Sequence, residues 1–265
     1  MPRVSVIIPA FRARDTLSAA LESIAASGLP PAEVEVVIAP DDGDGYADLP
    51  AHGLRLVRCA AHHVASGAGA ARNRALARAS APLVAFLDAD DTWGPGYLAV
   101  LVPLAARHGV AFGRTRVLAD GRPLLDLPGP GRDRLGIADL GTGASFHPVM
   151  ARALAGPFRS LPAQDVLHAA EALSAVGGHA PLAPAHYNLQ LHTRSATADR
   201  GFALRVQGAY ARILRDIETG RTGLRPEHWS TARAAFESKA RLNRAYMRAG
   251  GKRPFYAFLK ARAER

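Results

Sequence analysis

Leu83-Val84-Ala85-Phe86-Leu87-Asp88-Ala89-Asp90-Asp91 sets five apolar residues directly before three carboxylates. A short, continuous apolar run reads as a strand buried on both faces, the pattern of a parallel sheet covered by helices. Three more strand candidates stand earlier in the chain: Val4 to Ile8, a β-branched run ended by Pro9; Val34 to Ala39, another; and Leu54 to Cys59. Helical patterns lie between them. Leu17, Leu21 and Ile24 follow helical spacing after Asp15, a candidate cap, and stop at Gly28 before Pro30-Pro31; Ala70 to Ala79 reads as a second helix. Alternation of this kind gives an α/β fold, Rossmann-like, with a mostly parallel sheet flanked by helices.

The polar residues acquire positions from that frame. Asp41, Asp42 and Asp44 follow the second strand, and Asp88, Asp90 and Asp91 follow the fourth. In open α/β sheets ligands bind outside the carboxyl ends of the strands, so both acidic clusters fall on the expected binding edge. Three carboxylates within four residues repel one another unless a cation is present. Hard oxygen ligands suit Mg²⁺ or Mn²⁺, which keep positions open for substrate phosphates, so a nucleotide or diphosphate substrate is implied. An acidic, solvated turn is the plain alternative for this cluster, as a simple Asp-Gly turn is for Asp41 to Gly45.

Composition bounds the rest. The 265 residues are 48% apolar and 21% charged, an ordinary globular balance that excludes disorder, collagen and a disulfide scaffold. Cys59 is the single cysteine, which rules out an intrachain disulfide and a thiolate metal cage. The longest apolar candidate, from Tyr97 to Ala106, is interrupted by Pro103, so neither a transmembrane helix nor a signal peptide is expected, and a cytoplasmic location follows. The charge is uneven: residues 1–199 carry 17 Arg against 18 acids, while residues 200–265 carry 16 Lys plus Arg against 5 acids. A near-neutral body over 1–199 is therefore expected to precede a basic helical C-terminal extension over 200–265, with an anionic partner or a solvated arginine face.

Other motifs fail on inspection. Asp41-Asp42-Gly43-Asp44-Gly45 lacks the Glu that a calcium loop needs at its twelfth position. Gly67-Ala68-Gly69-Ala70-Ala71-Arg72 has Arg in place of the third glycine of a dinucleotide fingerprint, and no phosphate-binding P-loop pattern occurs. His62-His63 lack further ligands at metal spacing and read as surface residues.

Four motifs in order then carry a resemblance: Val4-Ser5-Val6-Ile7-Ile8-Pro9-Ala10-Phe11; Val36-Val37-Ile38 leading to Asp41-Asp42-Gly43; Gly69-Ala70-Ala71-Arg72-Asn73-Arg74; and Ala85-Phe86-Leu87-Asp88-Ala89-Asp90-Asp91. Together they resemble the nucleotide-sugar-binding half of family 2 glycosyltransferases of the GT-A fold. The match is good over residues 3–100 and weaker to about 197, giving a donor half, 1–100, and an acceptor half, 101–199. The resemblance implies a nucleotide-diphosphate sugar, most often a UDP-sugar. Pro9, Ala10 and Phe11 would line the base, Asp41 or Asp42 would receive uracil or ribose, and Arg72 would sit near the diphosphate. Asp88, Ala89, Asp90 and Asp91 form the DxD-type element, with Asp90 by the ribose or metal and Asp91 on the metal.

The resemblance also implies a general base later in the chain, at the start of a helix, for an inverting transfer to a glycan or lipid-linked acceptor. Ala163-Gln164-Asp165-Val166-Leu167 matches, so Asp165 is the candidate; an N-cap for a helix over Val166 to Val176 is its plain reading. Tyr187-Asn188-Leu189-Gln190-Leu191-His192-Thr193-Arg194 resembles the family's closing segment, which would bring His192 or Arg194 to the metal or diphosphate. Pro40, Gln164 and Arg12 depart from the family pattern. No Gln-x-x-Arg-Trp element occurs, which argues against a processive synthase, and the region Asp120 to Gly143, rich in Gly, Pro, Arg and Asp, is expected to include a mobile loop that shapes the acceptor site.

The tail shows a helical stripe at Val206, Tyr210, Ile213 and Ile217, a helix from Ser230 to Arg248 with Phe236 and Leu242 inward, and a helix from Pro254 to Ala263 bearing Phe255, Phe258 and Leu259. Basic helices with aromatic anchors suit an anionic membrane surface at the inner face of the plasma membrane. Packing on the catalytic body or on a second copy of the chain is the alternative. No nucleic-acid reader motif accompanies the charge. Two other functions stay open: a nucleotidyltransferase, or a binding protein that has lost catalysis with Gln164.

Overall fold

The computed structural model describes residues 1–191, 201–250 and 254–264. The four sequence-predicted strands form as β1 (Val4–Ala10), β2 (Val34–Pro40), β3 (Arg55–Arg58) and β4 (Leu83–Phe86), separated by α1 (Leu17–Ala25) and α2 (Ala68–Arg78). They pair in parallel in the order β3-β2-β1-β4. The N-cap of α1 is Thr16 rather than Asp15, and α2 starts two residues before the expected Ala70.

Beyond β4 the chain adds β5 (Thr92–Trp93), α3 (Tyr97–His108), β6 (Val110–Ala119), β7 (Arg122–Leu127), β8 (Arg134–Gly136), β9 (Pro148–Ala151), α4 (Gln164–Ala175) and β10 (His179–Leu191). The full path is β3-β2-β1-β4-β9-β6-β10-β5. β9 runs antiparallel to both β4 and β6, whereas β10 runs parallel to β6, so the parallel half continues into a mixed one. The region expected to include a loop, Asp120 to Gly143, holds part of the β6–β7 hairpin, β8 and a short 3-10 helix (Ile137–Thr142), with an irregular stretch over 128–133 between β7 and β8. Gly121, at φ +73, turns the hairpin, and Gly129 and Gly131 lie in that stretch.

Alternation along the strands distributes the core. Val4, Val6 and Ile8 pack with Leu17, Leu21 and Ile24 of α1 and with Leu98 and Leu101 of α3 on one face. Ile7 points to the other face, with Ala71 and Ala75 of α2 and with Val166 and Leu173 of α4. That second core continues without a break into α5 (Phe202–Glu218) and α6 (Trp229–Arg248), through Tyr210, Ile213, Ile217 and Phe236. α7 (Phe255–Ala263) lays Tyr256 and Leu259 against Val117. The apolar stripes of the basic tail are thus satisfied by the body, including those of α7 read as membrane anchors. Phe255 and Phe258 meet the ring of Tyr246 edge-on at 5.4 and 5.5 Å. Among the described residues no helix is long and apolar enough to cross a membrane.

Candidate functional site

Register brings the strand ends together. Ala10 stands opposite Pro40 and Ile7 opposite Phe86, so Phe11, Asp41, Asp42 and Asp88 emerge at one edge. Phe11 is 49% exposed, an uncommon state for a large apolar ring, and the Arg12 guanidinium lies 5.1 Å from its centroid. Pro9 is half-buried and Ala10 buried beneath it. The two aspartates expected to grip a base or ribose each hold their own loop. Asp42 accepts the Arg12 N–H and the Tyr46 hydroxyl. Asp41 accepts the Ser66 N–H at 3.1 Å, the Gly67 N–H at 2.8 Å, the Ser66 hydroxyl and Arg74 at 3.2 Å. Burial pushes both carboxyls up, but these donors overcome it and leave both below the ordinary carboxylate range.

The Gly69-to-Arg74 motif, on the first turns of α2, ties three parts of the site together. A Cβ at Gly69 would lie 2.3 Å from the Arg159 carbonyl oxygen, so the helix touches the segment before α4 backbone to backbone. Arg72 is 2% exposed and donates to Asp88, with its guanidinium 5.3 Å from the Phe158 ring centroid. It therefore faces Asp88 from beneath instead of lining the cavity above. Asn73 binds the Phe158 backbone, and Arg74 clamps Pro40 and Asp41.

Asp88, Asp90 and Asp91 border a cavity of about 250 Å³ together with Asp165, His147 and Lys239. Asp91 is buried; its Oδ1 accepts the Gln190 N–H and its Oδ2 the Tyr187 hydroxyl, both at 2.8 Å. Burial, then Asp90, then Asp88 push its carboxyl well above the ordinary range. Tyr187 also accepts the Asp88 N–H at 3.1 Å, which locks the acidic turn to β10. Negative charge concentrated in this way is what a hard divalent cation relieves. Asp90 and Asp91 are the two expected metal ligands within the described residues; His192, the third, and Arg194, expected near the metal or diphosphate, lie outside them. Among the described residues no group of three His, Cys, Asp or Glu side chains is gathered at metal-ligating distance.

Asp165 borders the same cavity, as the second residue of α4. It does not cap the helix, because Ala163 occupies that position at φ +61 with no side-chain cap bond. Burial pushes the Asp165 carboxyl up, but His147, Arg72, the Ser145 hydroxyl and Lys239 outweigh it and keep the group ionised, below its ordinary value. Burial holds the His147 imidazole below its ordinary value against the upward pull of Asp88 and Asp165, and its ring stacks on Tyr187 at 4.6 Å. Lys239, buried on α6, donates to the Ala144 carbonyl at 2.9 Å; burial lowers its ammonium to about 8 against the upward pull of Asp165.

Sequence reading placed the acids and missed His147 and Lys239. A signal for Lys239 existed. The inward stripe of α6 runs Ala232, Ala235, Phe236, Lys239, Ala240 and Asn243, and a lysine and an asparagine inside a buried stripe are out of place unless a polar site receives them. His147 stands just before β9, in a stretch with no periodicity, and nothing local marks it.

With this geometry in place, comparison with known proteins places the first half of the chain. Residues 5–127 match the family model described as Glycosyl transferase family 2. Residues 5–127 therefore belong to glycosyl transferase family 2. Within it, the chain is 30% identical over 112 residues to the UDP-Glc:alpha-D-GlcNAc-diphosphoundecaprenol beta-1,3-glucosyltransferase WfgD of Escherichia coli, covering 41% of this chain and 43% of that protein. It is 33% identical over 130 residues to TuaG of Bacillus subtilis, a glycosyltransferase named for teichuronic acid biosynthesis, covering 46% and 51%. The chain thus spans about half the length of the curated relatives it matches. The fold extends further. A crystal structure of S. aureus TarS 1-349 in complex with UDP-GlcNAc superposes with a TM-score of 0.65 at 20% identity, covering 95% of this chain and 75% of that one. The mannosyltransferase PcManGT of Pyrobaculum calidifontis, in complex with GDP-Man and Mn²⁺, gives 0.60 at 20% identity, covering 99% and 80%. The architecture is that of the GT-A glycosyltransferases, with C-terminal helices added.

Proposed function

We propose that the chain transfers a sugar from a nucleotide-diphosphate donor, a UDP-sugar, to a hydroxyl of a glycan or lipid-linked acceptor, with inversion at the anomeric carbon. The observation that carries this reading is the meeting of Asp88, Asp90 and Asp91 with the ionised Asp165 across one cavity at the carboxyl edge of the parallel strands. The UDP-sugar named for WfgD and the UDP-GlcNAc bound to TarS support the choice of donor.

The residues divide the work. The exposed Phe11 ring offers an apolar face to the base, and the loops fixed by Asp41 and Asp42 shape its surroundings. Arg72 acts through Asp88, holding that carboxylate in position. A divalent metal, Mn²⁺ or Mg²⁺, held by Asp90 and Asp91, would neutralise the charge that develops on the departing diphosphate. Asp165 takes the proton of the acceptor hydroxyl as its oxygen forms the bond to the anomeric carbon and the sugar–phosphate bond breaks. His147 and Lys239 keep Asp165 ionised for that step. Arg212, Arg215, Arg241 and Arg244, exposed on α5 and α6, would supply the cations for contact with an anionic membrane carrying the acceptor.

The test is calorimetric titration of UDP and GDP with and without Mn²⁺, followed by donor turnover. Wild type is expected to bind UDP in a metal-dependent manner. Asp90→Ala is expected to lose that dependence, and Asp165→Asn to keep UDP binding while turnover falls by about 10²–10⁴-fold. Full-rate turnover by Asp165→Asn would overturn the assignment of the base.

A further inference from the structure

We propose that Tyr187 is a positioning residue for the acidic turn: from behind the cavity, its hydroxyl sets how tightly Asp90 and Asp91 hold a divalent metal. The inference rests on the reading above and gives a part in it to a side chain set back from the cavity.

Tyr187 is 1% exposed and does not border the cavity, whereas Asp88, Asp90 and Asp91 do. Its place follows from strand register. On β10 it stands opposite Trp93 of β5 in antiparallel pairing and beside Thr115 of β6 in parallel pairing, and β5 begins directly after Asp91. Its ring stacks on His147 with 22° between the planes, which fixes the ring and with it the hydroxyl.

That hydroxyl reaches both ends of the turn. It accepts the Asp88 N–H at 3.1 Å and donates to Asp91 Oδ2 at 2.8 Å, while the Asp91 N–H closes the same turn on the Asp88 carbonyl at 3.0 Å. A hydroxyl has one proton, and here it is committed to Asp91. The Gln190 N–H takes Asp91 Oδ1 at 2.8 Å, so β10 grips the carboxylate by both oxygens and fixes its plane.

The grip matters because three carboxylates stand within four residues and repel one another. Two donors hold Asp91 against that repulsion, and each of its oxygens keeps a lone pair beyond the bond it accepts. A metal then meets a carboxylate already in place. Removing a group that orients a metal ligand in this way costs about 10–100-fold in metal affinity. Tyr187→Phe keeps the ring, its stack and the strand, and takes the partner from Asp91 Oδ2 and the Asp88 N–H together. Tyr97→Phe is the control: it removes an equally buried tyrosine hydroxyl, packed against Gly113 of β6 and likewise set back from the cavity.

The experiment titrates Mn²⁺ into the full chain at saturating UDP, reading the free ion by its EPR signal, with thermal melts of the metal-free proteins alongside. Tyr187→Phe is expected to raise the Mn²⁺ Kd about tenfold or more. Tyr97→Phe is expected to stay within twofold of wild type however far its Tm falls. Turnover of UDP-glucose or UDP-N-acetylglucosamine by Tyr187→Phe should need correspondingly more Mn²⁺ and then reach at least about half of the wild-type kcat. An Mn²⁺ Kd within twofold of wild type in Tyr187→Phe would overturn the inference. So would an equal rise in Tyr97→Phe, the mark of general loosening, or a kcat that stays about tenfold low at saturating Mn²⁺. Wild type that binds neither UDP nor Mn²⁺ would instead overturn the donor-site reading, and the role of Tyr187 with it.

Discussion

The side-chain amide of Asn73 pairs with the backbone of Phe158 as a neighbouring strand would: Nδ2 donates to its carbonyl at 2.9 Å and Oδ1 accepts its N–H at 2.8 Å. This anchors the approach to α4, the helix that carries Asp165, onto α2, the helix that carries Arg72. Phe158 passes the constraint on, since its ring stacks on His168 at 3.9 Å and lies beneath the Arg72 guanidinium. Asn73→Ala removes both bonds and leaves a backbone N–H and C=O to find water. The loss should be about 2 kcal/mol of stability, checked by urea unfolding, since each such bond contributes about 1 kcal/mol. Turnover should fall more than UDP affinity, because the displaced element is the one bearing the base.

Gly69 makes the same junction from the other side. Its missing Cβ is where the Arg159 carbonyl stands, at 2.3 Å, and a backbone oxygen has little freedom to withdraw. Gly69→Ala should destabilise by about 1–3 kcal/mol through overpacking, although alanine is the better helix former by about 1 kcal/mol. Gly208, exposed in α5 with nothing within 4 Å of the added carbon, is the control. Gly208→Ala should gain up to about 1 kcal/mol, and matching signs in thermal melts would refute the packing account.

Half of the fold was legible because half of it is parallel. The runs Val4 to Ile8, Val34 to Ala39 and Leu83 to Leu87 are apolar but for Ser5 and Glu35, which bond to each other at 2.6 Å, and burial on both faces is what a central parallel strand demands. β6 to β10 form a mixed sheet, with β7, β8 and β9 antiparallel to their partners and β10 bulged where it runs parallel to β6, so their residues show no continuous run; Pro181 and Pro184 even stand within β10. The site divided in the same way. Asp88 to Asp91 and Asp165 are fixed by local position, at a strand end and a helix start. His147 and Lys239 reach the cavity only through tertiary packing, from a strand approach and a helix far apart in sequence. Asp41 and Asp42 mark the limit of position as evidence: they stand at the predicted edge, yet their oxygens serve Ser66, Gly67, Arg12 and Tyr46.

His168 makes the chain acid-sensitive. Burial first, then Arg72, lowers its imidazole to about 3, and its Nε2 has no hydrogen-bond partner. The unfolded chain binds a proton at this residue below about pH 6.5 while the folded chain does not, so stability falls as pH drops from about 6.5 toward 3. By pH 4.5 the loss should reach about 2–3 kcal/mol, from two pH units at about 1.4 kcal/mol each. His168→Phe keeps the stack on Phe158 and removes the proton site. Urea unfolding at pH 7 and 4.5 should show the variant losing less than wild type; parallel losses would sink the assignment.

Lys239 gives the opposite limb. Its folded value of about 8 lies below the ordinary lysine value of 10.5, so between those limits the unfolded chain holds a proton that the folded chain has released. Stability attributable to this residue therefore rises with pH across that window, by about 2 kcal/mol between pH 8 and 10 at most. Lys239→Met has no such proton. Its hydrogen bond to Ala144 is lost at every pH, and the raised tyrosines at 210 and 256 titrate alike in both proteins, so the difference in pH slope isolates the ammonium. Unfolding of both chains at pH 7.5 and 10 should show wild type gaining on the variant. Equal slopes would mean that Lys239 is solvated in the folded chain and that its part of the cavity is open to water.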